Sequence, residues 1–148
     1  MNAMSYTYSE SAKVLDEDTP LVDRDDLLLV CKEIDEDTPE AETTAFIADA
    51  HTLMCALLDG WGVPSSILTL IEKQLAAHFA ALTYPSTVRE GLGPLSTSYS
   101  LKAGMGLEAS RYGQTALALD PTGVLKDFSD GNRKRPVIVR SIGSGILV

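Results

Sequence analysis

The sequence is poor in cysteine, in aromatic side chains and in long apolar runs. Its 148 residues include two cysteines, one tryptophan and three phenylalanines. No stretch reaches the roughly 18 apolar residues of a membrane-spanning helix, and the first residues, MNAMSYTYSES, lack the basic and apolar regions of a signal peptide. Cys31 and Cys55 lie far apart, which excludes a disulfide-rich scaffold. We therefore expect a soluble, non-secreted protein with reduced thiols, in one domain long enough to bury a core.

Sequence motifs of enzymes are also missing. There is no nucleophile elbow, no HExxH and no glycine-rich phosphate loop between a strand and a helix. The segments GLGPL at 91–95 and GMGLE at 104–108 contain paired glycines without the full spacing of such a loop. The sequence thus predicts neither catalytic residues nor a cofactor.

Basic residues are few and unevenly placed. The chain has 12 lysines and arginines against 21 acidic residues, a net charge of -9. Residues 1–42 hold 13 of the acidic groups and three basic ones, a net charge of -10, and the remainder carries +1. This acidic front disfavours contact with nucleic acid phosphates and suits either solvation or a basic protein partner.

The longest helical pattern runs from Pro64 to Leu82, and it predicts the helix around which the others pack. Ser65 or Ser66 is the expected N-cap, and alanines on the flanks would let neighbouring helices approach closely. Its apolar residues recur every three to four positions, at Ile67, Leu70, Ile71, Leu75, His78, Phe79 and Leu82.

A second long helix is predicted just before it. Thr38 is the expected N-cap, Pro39 the first helical residue and Gly60 the stop after Asp59. Because the connection DGWGVP is short, the two helices should form an antiparallel hairpin. Trp61 in that connection should close the end of the hairpin or contact a partner.

Shorter helices are predicted at 24–34, with Asp23 as N-cap, and at 107–119. The pentapeptide DEDTP occurs at 16–20 and again at 35–39. Both copies are interpreted as the same helix-start signal, with acidic residues, threonine as cap and proline at the first turn.

Three segments do not fit a helix. For residues 1–22 the polar sequence predicts an arm that is extended or weakly ordered unless a contact holds it. For residues 86–106 the sequence predicts a β-hairpin or an extended glycine-rich loop. From 122 to 148 an extended tail is expected, in which basic residues flank a β-branched run able to add a strand to another sheet.

The predicted fold is therefore mainly α, a small helical bundle spanning 23–121 with this inserted hairpin or loop and the extended tail. The residues predicted to bind partners are Trp61, Leu95, Tyr99, Arg133, Lys134, Arg135, Val137, Ile138, Val139 and Arg140.

Two cysteines and two histidines are the residues most suited to a metal. His51 and Cys55 are four residues apart on one helix, and Cys31 and His78 lie on others. A Cys2His2 site is possible in principle, but the spacing matches no zinc signature and each residue lies in an apolar stripe. Buried, hydrogen-bonded histidines and inert thiols are the favoured interpretation, so no metal is predicted.

Several segments, in their order, resemble the head-to-tail connector (adaptor) proteins of tailed bacteriophages. They are FIADAHTLMCALL at 46–58, IEKQLAAHFAAL at 71–82, SxSYS at 96–100 and SRYGQTALALD at 110–120, followed by PTG. The resemblance covers residues 24–125. It implies a non-catalytic virion protein, assembled in the host cytoplasm, that forms a homo-oligomeric ring of about twelve copies.

The resemblance further implies that the ring binds the portal protein on one side and a head-closure or tail component on the other. DNA would only pass through its channel. The alternative is a small helical regulatory or nucleic-acid-binding protein that uses the basic tail.

Overall fold

The computed structural model describes residues 6–84 and 106–131 of the chain. These two ranges contain five α-helices, two short 3-10 helices and no β-strand, so the mainly helical prediction is confirmed. Residues 86–105 of the predicted hairpin and residues 132–148 of the predicted tail lie outside the described part. The helices are α1 (Arg24–Val30), α2 (Glu40–Leu57), α3 (Ser65–Thr83), α4 (Arg111–Leu119) and α5 (Val124–Ser129), and the 3-10 helices are Glu10–Ala12 and Gly106–Ala109.

Helices α2 and α3 form the predicted antiparallel hairpin. The start of α2 lies beside the end of α3, since the rings of Phe46 and Tyr84 are 6.2 Å apart. Further along, His51 of α2 contacts Glu72 of α3. Helix α3 also packs against α1 and α4, which makes it the central helix of the bundle.

The buried surface of α3 differs from the stripe that the sequence predicts. Leu70 is 40% exposed, whereas Leu68, Glu72 and Ala76 are fully buried. Because α3 contacts three other helices, more than one of its faces is covered, and small alanines allow those close approaches. The side chains on α3 that are fully or almost fully buried are Leu68, Ile71, Glu72, Leu75, Ala76, Ala77, His78, Ala80 and Ala81.

Helix α1 begins as predicted, and α2 and α3 do not. Asp23 forms a capping box with Asp26, each side chain accepting the backbone N–H of the other residue. Pro39 and Pro64 occupy the N-cap positions of α2 and α3, with no side-chain cap. The prediction of Thr38 as N-cap was wrong because its hydroxyl oxygen accepts the N–H of Asp35 in the preceding turn.

The two DEDTP segments share a turn rather than a helix start. In each copy the backbone carbonyl of the first aspartate, Asp16 or Asp35, accepts the threonine N–H, at 3.1 Å in the first copy and 3.0 Å in the second. The aspartate side chain accepts the N–H two residues later in both. The first copy is followed by three residues without helical structure before α1 begins at Arg24. An aspartate-stabilised turn therefore explains both copies.

The bundle extends past residue 121, so the predicted start of the tail at 122 was wrong. Helix α5 buries Val124 and Leu125 in the core, and the hydroxyl oxygen of Ser129 accepts the N–H of Leu107. Asp120 organises the entry to α5, since its carboxylate accepts the N–H and hydroxyl of Thr122 and the N–H of Leu125.

We expect Asp120→Ala to lower the free energy of unfolding by about 2 kcal/mol, because three donors would lose a largely buried acceptor. Urea denaturation measures this change. The control is Asp130→Ala, which removes an exposed carboxylate paired with Lys126 and should cost under about 1 kcal/mol. Equal losses in the two variants would contradict the capping role.

Candidate functional site

The N-terminal arm, residues 6–22, lies against the α2–α3 hairpin and is attached to it by polar groups. At the end of the hairpin the Asp59 carboxylate accepts the N–H groups of Val14 and Leu15, at 2.8 and 3.2 Å. The Ser9 N–H donates to the Gly60 carbonyl at 2.8 Å. The α2–α3 hairpin of the same chain therefore holds the arm in place through these hydrogen bonds.

A buried pair between α2 and α3 makes the second attachment. His51 Nδ1 lies 2.6 Å from Glu72 Oε1, with the side chains 1% and 0% exposed. Glu72 Oε2 accepts the N–H groups of Leu21 and Val22, at 2.7 and 3.0 Å. The other ring nitrogen of His51, Nε2, lies 2.6 Å from the Asp16 carbonyl oxygen. One histidine and one carboxylate thus bind both ends of the segment 16–22.

The same contacts set the protonation of the pair. Burial lowers the pKa of His51, but the hydrogen bond to the Asp16 carbonyl and the bond and charge of Glu72 outweigh burial, so the pKa is raised above its usual value. A raised pKa favours the form in which both ring nitrogens donate.

Trp61 contacts the arm of its own chain. Its ring and that of Tyr8 meet edge to face with centroids 6.0 Å apart, an arrangement that aromatic pairs prefer. Gly60, with φ of +97°, makes room for this contact, since a Cβ there would lie 2.6 Å from the Tyr8 ring. Trp61 closes this end of the hairpin together with the arm.

His78 is buried and joins α3 to the start of α4. Its Nδ1 lies 2.8 Å from the hydroxyl of Ser110, which is the N-cap of α4 and accepts the Gly113 N–H at 3.0 Å. Burial lowers the pKa of His78 to about 4. The imidazole is therefore neutral at pH 7, and its Nδ1 is hydrogen-bonded to the Ser110 hydroxyl.

Tyr112 connects α4 to the residues that follow α1. Its hydroxyl accepts the Lys32 N–H at 2.9 Å and the Arg111 guanidinium at 3.0 Å, and donates to Glu33 Oε1 at 2.8 Å. Burial raises the pKa of Tyr112. This hydroxyl is part of the packing between helices.

The four candidate metal ligands have other partners. His51 binds Glu72 and the arm, and His78 binds Ser110. The thiols of Cys31 and Cys55 form no disulfide and contact the Ala77 carbonyl and His51 respectively. Burial raises the pKa of each thiol to about 11, so both are protonated at neutral pH. Within residues 6–84 and 106–131 no group of three or more potential ligands is placed to hold a metal ion.

Of the residues predicted to bind partners, Trp61 alone lies in the described part of the chain. The other nine fall outside it: Leu95, Tyr99, Arg133, Lys134, Arg135, Val137, Ile138, Val139 and Arg140.

Two carboxylates were missed by the sequence analysis as anchors of the arm. Glu72 carried a signal, because it lies four residues after Leu68 and three before Leu75, and so on the buried face of a helix. A charged residue in that position needs a buried partner. Asp59 carried no comparable signal, since an aspartate before glycine at the end of a helix is ordinary.

Comparison with protein-family models, with curated proteins and with solved structures found no match. In the two described ranges no helix combines the length and the apolar character needed to cross a membrane.

Proposed function

We propose that this chain is a structural protein of a bacteriophage neck. It forms a ring that binds the portal protein, connects the head to the tail components and leaves a channel through which DNA passes. The ring, of about twelve copies, acts by assembly and not by catalysis. The virion is its proposed location.

The observation that carries the proposal is where the connector-like segments lie in the fold. The segments 46–58, 71–82 and 110–120 fall on α2, α3 and α4. Helix α3 packs against both of the others. Three of the four segments that carry the resemblance therefore form one packed unit, as the body of an adaptor requires, and the fourth, at 96–100, lies outside the described residues.

One glycine in the RYGQ motif has a specific place in that unit. Gly113 of α4 lies so close to its neighbours that a Cβ would come within 2.8 Å of the Leu107 carbonyl carbon and 2.9 Å of His78 Nδ1. His78 belongs to the LAAHFAAL segment, so two of the connector-like motifs meet at this contact. This juxtaposition supports reading them as parts of one pattern.

The charge distribution fits an assembly role. Many acidic side chains of the N-terminal region are exposed, including Asp25 of α1 and Glu36, Asp37 and Glu40 around the start of α2. Such a surface repels DNA phosphates and attracts basic protein segments. The basic run Arg133–Arg135 of a neighbouring copy, or of another neck protein, has the complementary charge.

The first test is binding to the portal protein of the genome that encodes this chain. We expect the 148-residue chain to co-sediment with portal rings. A chain ending at Gly131 keeps α5 intact, so it should stay folded but bind at least tenfold more weakly, which corresponds to a loss of about 1.4 kcal/mol. Circular dichroism and thermal unfolding verify the fold of the truncated chain. Failure of the 148-residue chain to bind would contradict the proposal.

The competing function, nucleic-acid binding through the basic tail, predicts a different result. It requires salt-dependent retention on DNA that disappears when Arg133, Lys134 and Arg135 are replaced by alanine. The same triple variant, tested against portal rings, serves as the matched control. Retention on DNA together with no binding to the portal would favour the alternative.

A further inference from the structure

The arm depends on polar contacts more than on apolar burial. Among residues 6–22 only Val22 is fully buried, and the partly buried residues are Tyr6, Tyr8, Ala12, Leu15 and Leu21. A segment with few buried apolar contacts opens at a lower cost than the core of a bundle. Its few hydrogen bonds to side chains of the hairpin therefore have a large influence on whether it stays docked.

The hydrogen bonds of His51 and Glu72 define how many protons the pair holds. The Asp16 carbonyl can only accept, so the proton facing it belongs to His51 Nε2. The 2.6 Å contact between His51 Nδ1 and Glu72 Oε1 contains one further proton. With that shared proton the pair has no net charge, and Glu72 Oε2 remains free to accept the Leu21 and Val22 N–H groups.

From this geometry we propose that the His51–Glu72 pair is a proton-controlled latch that docks residues 16–22 and releases them when the shared proton is lost. Without the proton, one ring nitrogen of His51 would turn a lone pair toward an oxygen 2.6 Å away: Nδ1 toward the buried Glu72 carboxylate, or Nε2 toward the Asp16 carbonyl. A buried charge that loses its partner is strongly unfavourable. Detaching residues 16–22 relieves this by admitting water to both groups.

The other groups around His51 act in the same direction. Asp16 lies on the arm and Glu72 on α3, and both raise the pKa of His51. The Cys55 thiol is 3.5 Å from Nε2 on the same helix, and Glu17 and Asp59 act electrostatically on that thiol. The acidic groups favour the protonated imidazole of His51. The Cys55 thiol is neutral and so does not oppose that charge.

The direction of the pH dependence follows from the raised pKa. The docking energy from this proton is fully present below the lower pKa that His51 has when residues 16–22 are released and the Asp16 carbonyl no longer accepts from its ring. It is lost as the pH rises through the higher pKa of the docked state. Between these two values, the ratio of docked to released arm falls by up to about tenfold per pH unit.

The test is amide hydrogen exchange between about pH 6 and pH 9, followed by NMR and corrected for the intrinsic exchange rate at each pH. The protection of the Leu21 and Val22 N–H groups should fall with rising pH in the unmodified 148-residue chain. The Leu75 N–H at the centre of α3 serves as the internal control and should keep its protection. Equal loss at all three positions would mean unfolding of the bundle and would overturn the latch.

Glu72→Gln is the matched variant. An amide at position 72 can accept from Leu21 and Val22 and donate to neutral His51, so the same bonds exist without a shared proton. We expect its arm protection to be independent of pH over this range. A pH dependence equal to that of the unmodified protein would overturn the proposal.

A second measurement covers the case in which this variant does not fold. The His51 ring signals of the unmodified protein give its pKa directly, and the midpoint should coincide with the loss of Leu21 and Val22 protection. A His51 titration with unchanged protection would overturn the latch. The inference depends on contacts within one chain and not on the proposed ring, so portal binding can fail while the latch is confirmed.

Discussion

Replacement of Glu72 by alanine is expected to release residues 16–22 of the arm and to lower the free energy of unfolding by about 3 kcal/mol. The change removes the acceptor of the Leu21 and Val22 N–H groups and leaves His51 without its partner, all in a buried site. Urea denaturation gives the energy. Amide hydrogen exchange of Leu21 and Val22 reports the release, because Glu72 accepts both of these N–H groups.

The control for this variant is Asp49→Ala on α2. Asp49 is an exposed carboxylate, so its removal should change the free energy of unfolding by less than about 0.5 kcal/mol and leave the protection of Leu21 and Val22 unchanged. If Glu72→Ala behaved like this control, the buried pair would not be what holds the arm.

Gly113→Ala is expected to destabilise the bundle by about 3 kcal/mol, although alanine is the better helix former by about 1 kcal/mol. A Cβ at this position would contact the backbone of Leu107 and lie 2.9 Å from His78 Nδ1. Helix α4 would have to move away from the Gly106–Ala109 turn and from α3. Thermal unfolding followed by circular dichroism measures the loss.

Thr115→Ala tests whether the effect belongs to the contact or to the helix. Thr115 is exposed on the same helix, and its replacement should change stability by less than about 0.5 kcal/mol. A Gly113→Ala protein as stable as the parent would show that α4 can shift without cost, contrary to the packing described.

Local signals in the sequence predicted most of the fold. The apolar periodicity located α2 and α3, the short DGWGVP connection gave their antiparallel pairing, and Asp23 gave the start of α1. These signals are readable because each depends on residues within one or two turns of one another. The same reasoning wrongly predicted Thr38 as the N-cap of α2, because its hydroxyl oxygen accepts the Asp35 N–H in the preceding turn instead of an N–H of the helix.

The arm site could not be predicted in the same way. Glu72 binds backbone groups 50 and 51 positions earlier in the chain, and no local pattern indicates such a pairing. Leu70 was predicted to be buried, but it is 40% exposed because the neighbouring helices cover other faces of α3. Which faces are covered depends on where α1 and α4 pack, and the sequence of α3 alone does not contain that information. Helix α5 was missed because its six residues, VLKDFS, are too few for a recognisable period.

The mass of the complex between this chain and its portal tests the central claim most directly. Native mass spectrometry of portal rings mixed with excess chain should give a species heavier than the portal by a whole number of copies, about twelve, each of 15.9 kDa. Electron microscopy of that species should show a ring added around an open axial channel. A portal of unchanged mass, with the chain remaining as separate single copies, would contradict the proposed function.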